Sequence, residues 1–287
     1  MSLQRMTPRS DNNAHAPTVA GFGKEWARFS QEALKPEEIR EIFGQYFSIF
    51  PWEKLPKDGG CGADVGCGSG RWARAVAPRV RELHLVDASD EALGVARANL
   101  SGHQNAAFHC ASIGDLPFND ESLDFAYSLG VLHHIPDPEA GIRAIAAKLK
   151  PGAPLLVYMY YAFDNRPAWY RLLWRVSDVG RRVLSRQPQA VKTAIADMVA
   201  LCVYWPLARV AALLSRLGSE IGNWPLAYYA DRSLYVMRTD ALDRLGTRLE
   251  QRFTRVQLAE MLTRAGFENI RFSEGPPFWC AVGLKSV

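Results

Sequence analysis

The sequence predicts an α/β chain: a doubly wound, seven-stranded, mostly parallel sheet with a helical insertion between the fifth strand and the last helix. Three observations predict it. From Gly60 onward, short apolar runs alternate with helical patterns, the rhythm of successive βα units. A glycine-rich turn, Gly66-Cys67-Gly68-Ser69-Gly70, joins the first apolar run to its helix. The rhythm then breaks between residues 163 and 252, a stretch far longer than the roughly 4–6 residues of an ordinary connection.

Residues 1–18 are polar and lack the apolar core of a secretory signal, so a disordered tail is expected there. Residues 19–58 hold helical patterns around Phe22 to Trp26 and Ile42 to Phe50. The α/β domain is expected over residues 59–162 and 253–287. Its strands read CGADVG, ELHLVDA, AAFHCAS, SLDFAYSL and PLLVYMYY, with helices through RWARAVAP, SDEALGVARANL and DPEAGIRAIAAKLK. Pro151-Gly152 stops the third of these helices before strand five. After the insertion, Thr254 and Gly266 stand where caps are favoured around TRVQLAEMLTRAGF, and NIRFSEG and FWCAVGLKS complete the sheet.

Composition narrows the function classes. A hydrophobic fraction of 48% and a charged fraction of 22% are ordinary for a folded chain, and a net charge of +4 lacks the basic footprint of a dedicated nucleic-acid binder. Five scattered cysteines without C-x-x-C spacing suggest neither a disulfide framework nor a zinc site, so no metal is expected and a reducing cytoplasm fits. The longest apolar stretch, Val199 to Leu214, contains Pro206 and Arg209 and falls short of the roughly 20 residues that span a bilayer. It is expected to be buried, with no membrane span; contact with a membrane carrying a lipid acceptor is the alternative.

Gly66, Gly68 and Gly70 let a ligand pass close to the backbone, and a turn beneath a helix N-terminus offers N–H groups to a carboxylate or pyrophosphate. The spacing is G-x-G-x-G, not the G-x-G-x-x-G of a dinucleotide fingerprint. Asp87 ends strand two, 21 residues after Gly66, where an acid can accept hydrogen bonds from both ribose hydroxyls. Turn and acid together indicate an adenosine cofactor without choosing between a nicotinamide dinucleotide and another nucleoside.

Further residues separate the two: Leu116-Pro117-Phe118-Asn119-Asp120-Glu121-Ser122-Leu123-Asp124-Phe125, then Leu132-His133-His134-Ile135-Pro136-Asp137, then Leu149-Lys150-Pro151-Gly152. With the glycine turn and Asp87, these resemble the class I S-adenosylmethionine-dependent methyltransferases, the large family with ubiquinone/menaquinone and small-molecule O-, N- and C-methyltransferases. The resemblance covers roughly residues 19–150 and 253–284. It implies a Rossmann-like sheet, S-adenosyl-L-methionine as cofactor and S-adenosyl-L-homocysteine as product. It further implies that Asp64, Gly66, Cys67, Gly68 and Gly70 hold the methionine portion, that Asp87 holds the ribose and that Ala88 lies near the adenine. Ser112, with Ile113 beside it, stands where the family commonly has an Asp that receives the adenine amino group. Ser128 and Leu129 border the sulfonium by the same resemblance, and the helices of residues 19–58 cover the cofactor, with Trp26 and Tyr46 as contacts or as packing residues. Ala153 replaces the second glycine of the family's L-K-P-G-G.

Methyl transfer mainly requires alignment, and a hydroxyl acceptor also requires a base. His133 and His134 follow strand four at the ligand-binding edge of such a sheet and are candidates, each with helix-start packing as the competing reading. Tyr158, Tyr160 and Tyr161 end strand five; Tyr160 is a candidate catalytic residue against plain β-propensity. The insertion, residues 163–252, carries fourteen Arg or Lys against eight Asp or Glu, with Trp169, Trp174, Trp205 and Trp224 among them. That suits an anionic or glycan-like acceptor, or else a solvated basic face over packed tryptophans. The run Asp231 to Asp240 is expected in the acceptor wall. The expected function is methylation of a small molecule at a hydroxyl, on a metabolite, saccharide or lipid intermediate, by a monomer or homodimer with no nucleic-acid partner; protein or RNA methylation, a non-catalytic cofactor-binding scaffold and a nicotinamide oxidoreductase are the competitors.

Overall fold

The structure, a computed structural model, describes residues 13–31, 36–221 and 224–287. Seven strands form one sheet: β1 (Cys61–Val65), β2 (Glu82–Asp87), β3 (Ala106–Cys110), β4 (Phe125–Leu129), β5 (Pro154–Tyr158), β6 (Phe267–Phe272) and β7 (Cys280–Lys285). Their order is β3-β2-β1-β4-β5-β7-β6, and β7 runs antiparallel to both neighbours. This is the mostly parallel α/β sheet expected. β4 and β5 are buried along their whole length, which is why they read as unbroken apolar runs.

Ten α-helices surround the sheet and build the insertion: α1 (Ala16–Arg28), α2 (Pro36–Phe47), α3 (Ala73–Val76), α4 (Asp90–Asn99), α5 (Pro138–Lys148), α6 (Ala168–Leu184), α7 (Gln189–Val199), α8 (Trp205–Arg216), α9 (Leu234–Gly246) and α10 (Arg255–Arg264) among the described residues. One core layer joins Leu83, Leu85 and Tyr127 to Phe47 of α2 and Leu93 of α4; the other joins Val65, Val86 and Ala126 to Ile142 of α5 and Leu262 of α10. Strand alternation sends Asp64 and Val65 to opposite layers.

Local chemistry sets the helix ends. Ser89 and Asp137 accept from the N–H groups of Ala92 and Ala140 at 3.3 and 2.9 Å. At α10, Thr254 Oγ1 accepts from the Gln257 N–H at 3.2 Å while Gln257 Oε1 accepts from the Thr254 N–H at 2.9 Å, a reciprocal capping box. Thr254→Ala is expected to destabilise the fold by about 1 kcal/mol, measurable as a lowered midpoint in chemical denaturation.

Three sequence expectations change. The tail was placed over residues 1–18, but α1 starts at Ala16 with Pro17 in its first turn, a position where the missing N–H is harmless. Residues 1–12 of that tail, and 32–35 of the covering segment, lie outside the described residues. The helix expected through RWARAVAP is a single turn, because Pro78 cannot donate back along it. Third, Val199 to Leu214 lies within an unbroken helix, Gln189–Arg216, of 28 residues, long and apolar enough by length and composition to cross a membrane. A π-helical turn at Ala200–Tyr204 precedes Pro206 and widens the backbone where the proline ring would otherwise collide. Only 22% of its most apolar window is buried, so the expected burial is not found.

Within the insertion α9 is central: α6, α7 and α1 all pack on it. Residues 249–253 then run back along the sheet edge. Phe253 N–H donates to the Tyr160 carbonyl at 2.9 Å, and Gln251 N–H donates to that of His133 at 3.0 Å.

Candidate active site

Strand order reverses between β1 and β4, and ligands of open α/β sheets lie in the crevice beyond the carboxyl ends of such strands. A cavity of about 930 Å³, open to solvent, occupies this crevice. Gly66, Cys67, Gly68, Asp87, Ala88, Ser112, Ile113 and Leu129 border it, and so do Trp26, His134 and residues 13–15, which fall within the expected tail.

The turn works differently from the sequence expectation. The N–H groups of Gly66 and Cys67 donate to the Val86 carbonyl at 2.7 and 3.0 Å, that of Gly68 to Asp87 Oδ2 at 2.9 Å, and that of Gly70 to Cys67 at 2.9 Å. These four groups hold the turn together. A Cβ on Gly66 would stand 2.4 Å from Val131, and one on Gly68 would stand 2.7 Å from the Trp26 indole. The glycines therefore admit protein neighbours that shape the cavity.

Asp64, Gly70 and Ser128, for which the resemblance implies cofactor contact, do not border the cavity. Asp64 lies beneath the turn on the other side of β1; burial raises its carboxyl to about 8, so it keeps its proton at neutral pH. Gly70 lets the turn pack on α4, since a Cβ there would meet Leu100 at 2.6 Å. Ser128 Oγ donates to the Val65 carbonyl at 2.8 Å and links the two strands.

The cavity wall fits a nucleoside bearing an amino acid. Ser69 Oγ, Arg71 Nε and Ser112 Oγ are buried on it without a hydrogen-bond partner, an arrangement that costs free energy unless a ligand supplies the partner. Asp87 accepts one backbone N–H on each oxygen, from Ser89 and Gly68, and has further lone pairs for ribose hydroxyls. Arg71, missed in the sequence, stands directly after the glycine turn and offers a cation to a carboxylate.

A second chamber, of about 1360 Å³, adjoins the first, and both are bordered by Arg71, Trp72, Leu129 and Gly130. Gly130 has φ +84° and open space where a Cβ would project. Tyr46, Tyr158, Tyr160, Tyr161 and Trp224 border this chamber, together with residues the sequence reading missed: Tyr228, Tyr229, Asp243, Arg244 and Arg252. Of the run Asp231 to Asp240, Asp240 forms part of the wall, where it accepts from Tyr229 OH at 2.7 Å. Asp240, Asp243 and Arg244 share one face of α9 at spacings of three and four.

Tyr160 OH donates to Asp243 Oδ2 at 2.5 Å. Burial raises the Asp243 carboxyl above its ordinary range, against the opposing influence of His134 and the Tyr160 hydroxyl. Burial also raises the Tyr160 phenol, which therefore stays protonated at rest. Behind them Glu25 of α1 is buried with one oxygen unpartnered; burial first, then the charges of Asp243 and Asp240, push its carboxyl well up.

The two histidines that were candidates for the base take different places. His133 borders neither cavity; its ring stacks on Tyr160 at 4.0 Å, and its Nδ1 accepts from the Tyr160 N–H at 3.4 Å. Burial holds it neutral, so it supports Tyr160 without reaching a ligand. His134 Nδ1 donates to the Leu249 carbonyl at 2.7 Å, and its Nε2 lies 3.7 Å from Asp243 Oδ1. It bridges the cofactor cavity and the acid. The scattered-cysteine reading also missed one grouping: Cys61, Glu82 and His84, at the opposite end of the sheet, bring ligand atoms within 4.8 Å of one another, a set able to hold a metal ion.

Fold and site thus define an α/β protein with an adenosine-cofactor cavity beside an aromatic chamber. Residues 63–157 match the family model described as a methyltransferase domain. Ubiquinone biosynthesis O-methyltransferase of Idiomarina loihiensis is 36% identical over 94 residues, which cover 32% of this chain and 39% of that protein. The uncharacterized methyltransferase YcgJ of Bacillus subtilis is 35% identical over 104 residues, covering 36% and 41%. The chain spans about two fifths of the length of these curated relatives. Human N-acetylserotonin methyltransferase in complex with S-adenosylmethionine superposes with a TM-score of 0.53 at 17% identity, over 93% of this chain and 57% of that one. A putative methyltransferase bound to the Haloferax volcanii Trm112 activator gives 0.52 at 16%, over 93% and 98%. These two share the fold. Residues 63–157 therefore carry a methyltransferase domain, and over that part the chain is similar to S-adenosylmethionine-dependent methyltransferases, as the sequence motifs imply.

Proposed function

We propose that the protein transfers the methyl group of S-adenosylmethionine to a hydroxyl of a small molecule held in the aromatic chamber. The observation that carries this reading is the wall shared by the two cavities at Leu129 and Gly130, with the Tyr160–Asp243 pair on its chamber side. Relatives named as O-methyltransferases support the hydroxyl. Tyrosine rings and the cations Arg244 and Arg252 suit an acceptor ring that carries a negative group.

When bound, the cofactor supplies a methyl group made electrophilic by its sulfonium; its sulfur would be the leaving group and keep the bonding pair as the methyl passes to the acceptor oxygen. Asp87, Ser112, Ser69 and Arg71 would hold it, and Trp26 and Trp72 keep water from the reacting pair. The acceptor proton passes to the Tyr160 oxygen as the proton of Tyr160 moves to Asp243. Alignment and this relay are the protein's share of the rate.

The test is calorimetric titration with S-adenosylhomocysteine, followed by turnover of methyl-labelled S-adenosylmethionine on hydroxyaromatic acids, sugars and amines. Label in a hydroxyaromatic acid is expected. Label only in amines would overturn the hydroxyl assignment, and failure to bind S-adenosylhomocysteine would overturn the whole reading.

A further inference from the structure

The insertion presents a broad apolar surface to solvent. On α6, Trp169, Leu172, Leu173, Val176, Val179 and Val183 are each half exposed or more. At the helical repeat of about 100° per residue they fall on one face. Arg171, Arg175, Arg182 and Arg186 form a row along one edge of that face, while Asp178, Arg181 and Leu184 turn inward. The Gln189–Arg216 helix adds exposed Met198, Leu201, Val203, Trp205, Val210 and Leu213. Isolated exposed apolar side chains are ordinary on soluble proteins, whereas concentration of this kind marks a contact surface.

We propose that this surface docks in the plane of an anionic lipid bilayer, with the apolar faces at the acyl boundary and the arginines on lipid phosphates. Charge selects the occupant. Between residues 168 and 220 the exposed charged side chains are Arg171, Arg175, Arg182, Arg186 and Arg216 against Glu220, with Arg182 also paired to Asp178 at 2.8 Å. A basic amphipathic face of this pattern matches an anionic headgroup layer, and a second copy of the chain would bring the same arginines to the contact.

The long helix lies on the membrane and does not cross it. Lys192 Nζ donates to the Gly246 carbonyl at 3.3 Å, and Asp197 pairs with Arg28 and Arg238 at 2.6 and 2.9 Å. Arg209 donates to the carbonyls of Tyr229 and Arg232 at 3.3 and 3.0 Å. A centred span would place Asp197 and Arg209 in hydrocarbon and break their ties. The rim of the aromatic chamber takes Phe163 from just before α6, Tyr170 from its first turn, and Ile221 and Trp224 from beyond α8. Docking stands independently of the methyl-transfer reading.

The experiment is flotation of the full chain with phosphatidylcholine vesicles, with and without phosphatidylglycerol, at low and high salt. Binding to the phosphatidylglycerol vesicles, weakened by salt, is expected. Val176→Glu with Val179→Glu should reduce partitioning at least about tenfold, and Arg171→Gln and Arg175→Gln about fivefold each. S-adenosylhomocysteine affinity and circular dichroism should stay as in the wild type, which separates lost docking from lost folding. Wild-type protein that fails to float with anionic vesicles overturns the proposal, as does equal partitioning of the glutamate variant and the wild type. A stable dimer in light scattering that the glutamate pair dissociates, without vesicle binding, also overturns it in favour of a second copy.

Discussion

Asp243→Asn is expected to lower kcat by about 10²–10⁴-fold, the usual range for loss of a general base, with S-adenosylhomocysteine affinity unchanged. The substitution keeps the shape of the side chain and its contact with Tyr160 OH, and removes the capacity to take up a proton at pH 7. A pH profile supplies the second readout. An aspartate accepts a proton only in its ionised form, and burial raises its pKa. Wild-type activity should therefore be present above that raised pKa and fall away as pH drops through it, at higher pH than an ordinary carboxylate would give. The acid limb should be missing in the variant. Full kcat in Asp243→Asn would remove Asp243 from the chemistry and return attention to His134, which lies 3.7 Å from it.

Asp87→Ala should weaken S-adenosylhomocysteine binding by roughly 100-fold or more. A hydrogen bond to a charged group contributes about 1.5–3 kcal/mol, and two ribose hydroxyls bonded to one carboxylate give about 3 kcal/mol at the low end, or roughly 100-fold in affinity. The same carboxylate fixes Gly68 and Ser89 through their N–H groups, so its loss also loosens the turn. Calorimetry on Asp87→Ala beside Asp87→Asn separates these contributions, because asparagine keeps one acceptor for the turn. Wild-type affinity in the alanine variant would contradict the ribose assignment.

The sheet was legible because each of its strands is short, apolar and punctuated. Cys61–Val65 leads into glycines, and Pro154–Tyr158 follows Pro151-Gly152. Asp87 was legible for a similar reason, since distance from the turn fixes its place at the end of β2. What sequence spacing could not give was the partner of each polar group. The N–H groups of the glycine turn looked free and are bonded within the protein; His133 looked like a base and is sealed against Tyr160. Most of the aromatic chamber was hidden because Asp243 and Arg244 come from α9, far along the chain from the motifs; of its polar face only Asp240 lay in a run expected there. Exposure of α6 and α8 was hidden as well: an apolar helical face reads the same whether a core or another surface receives it.

Helix α1 sets Trp26 against the glycine turn and, one residue away, Glu25 against the acids of α9. Any displacement of α1 that lifted Trp26 from the turn would also shift Glu25 relative to Asp240 and Asp243, so one short helix ties the wall of the cofactor cavity to the electrostatic surroundings of the chamber's acids.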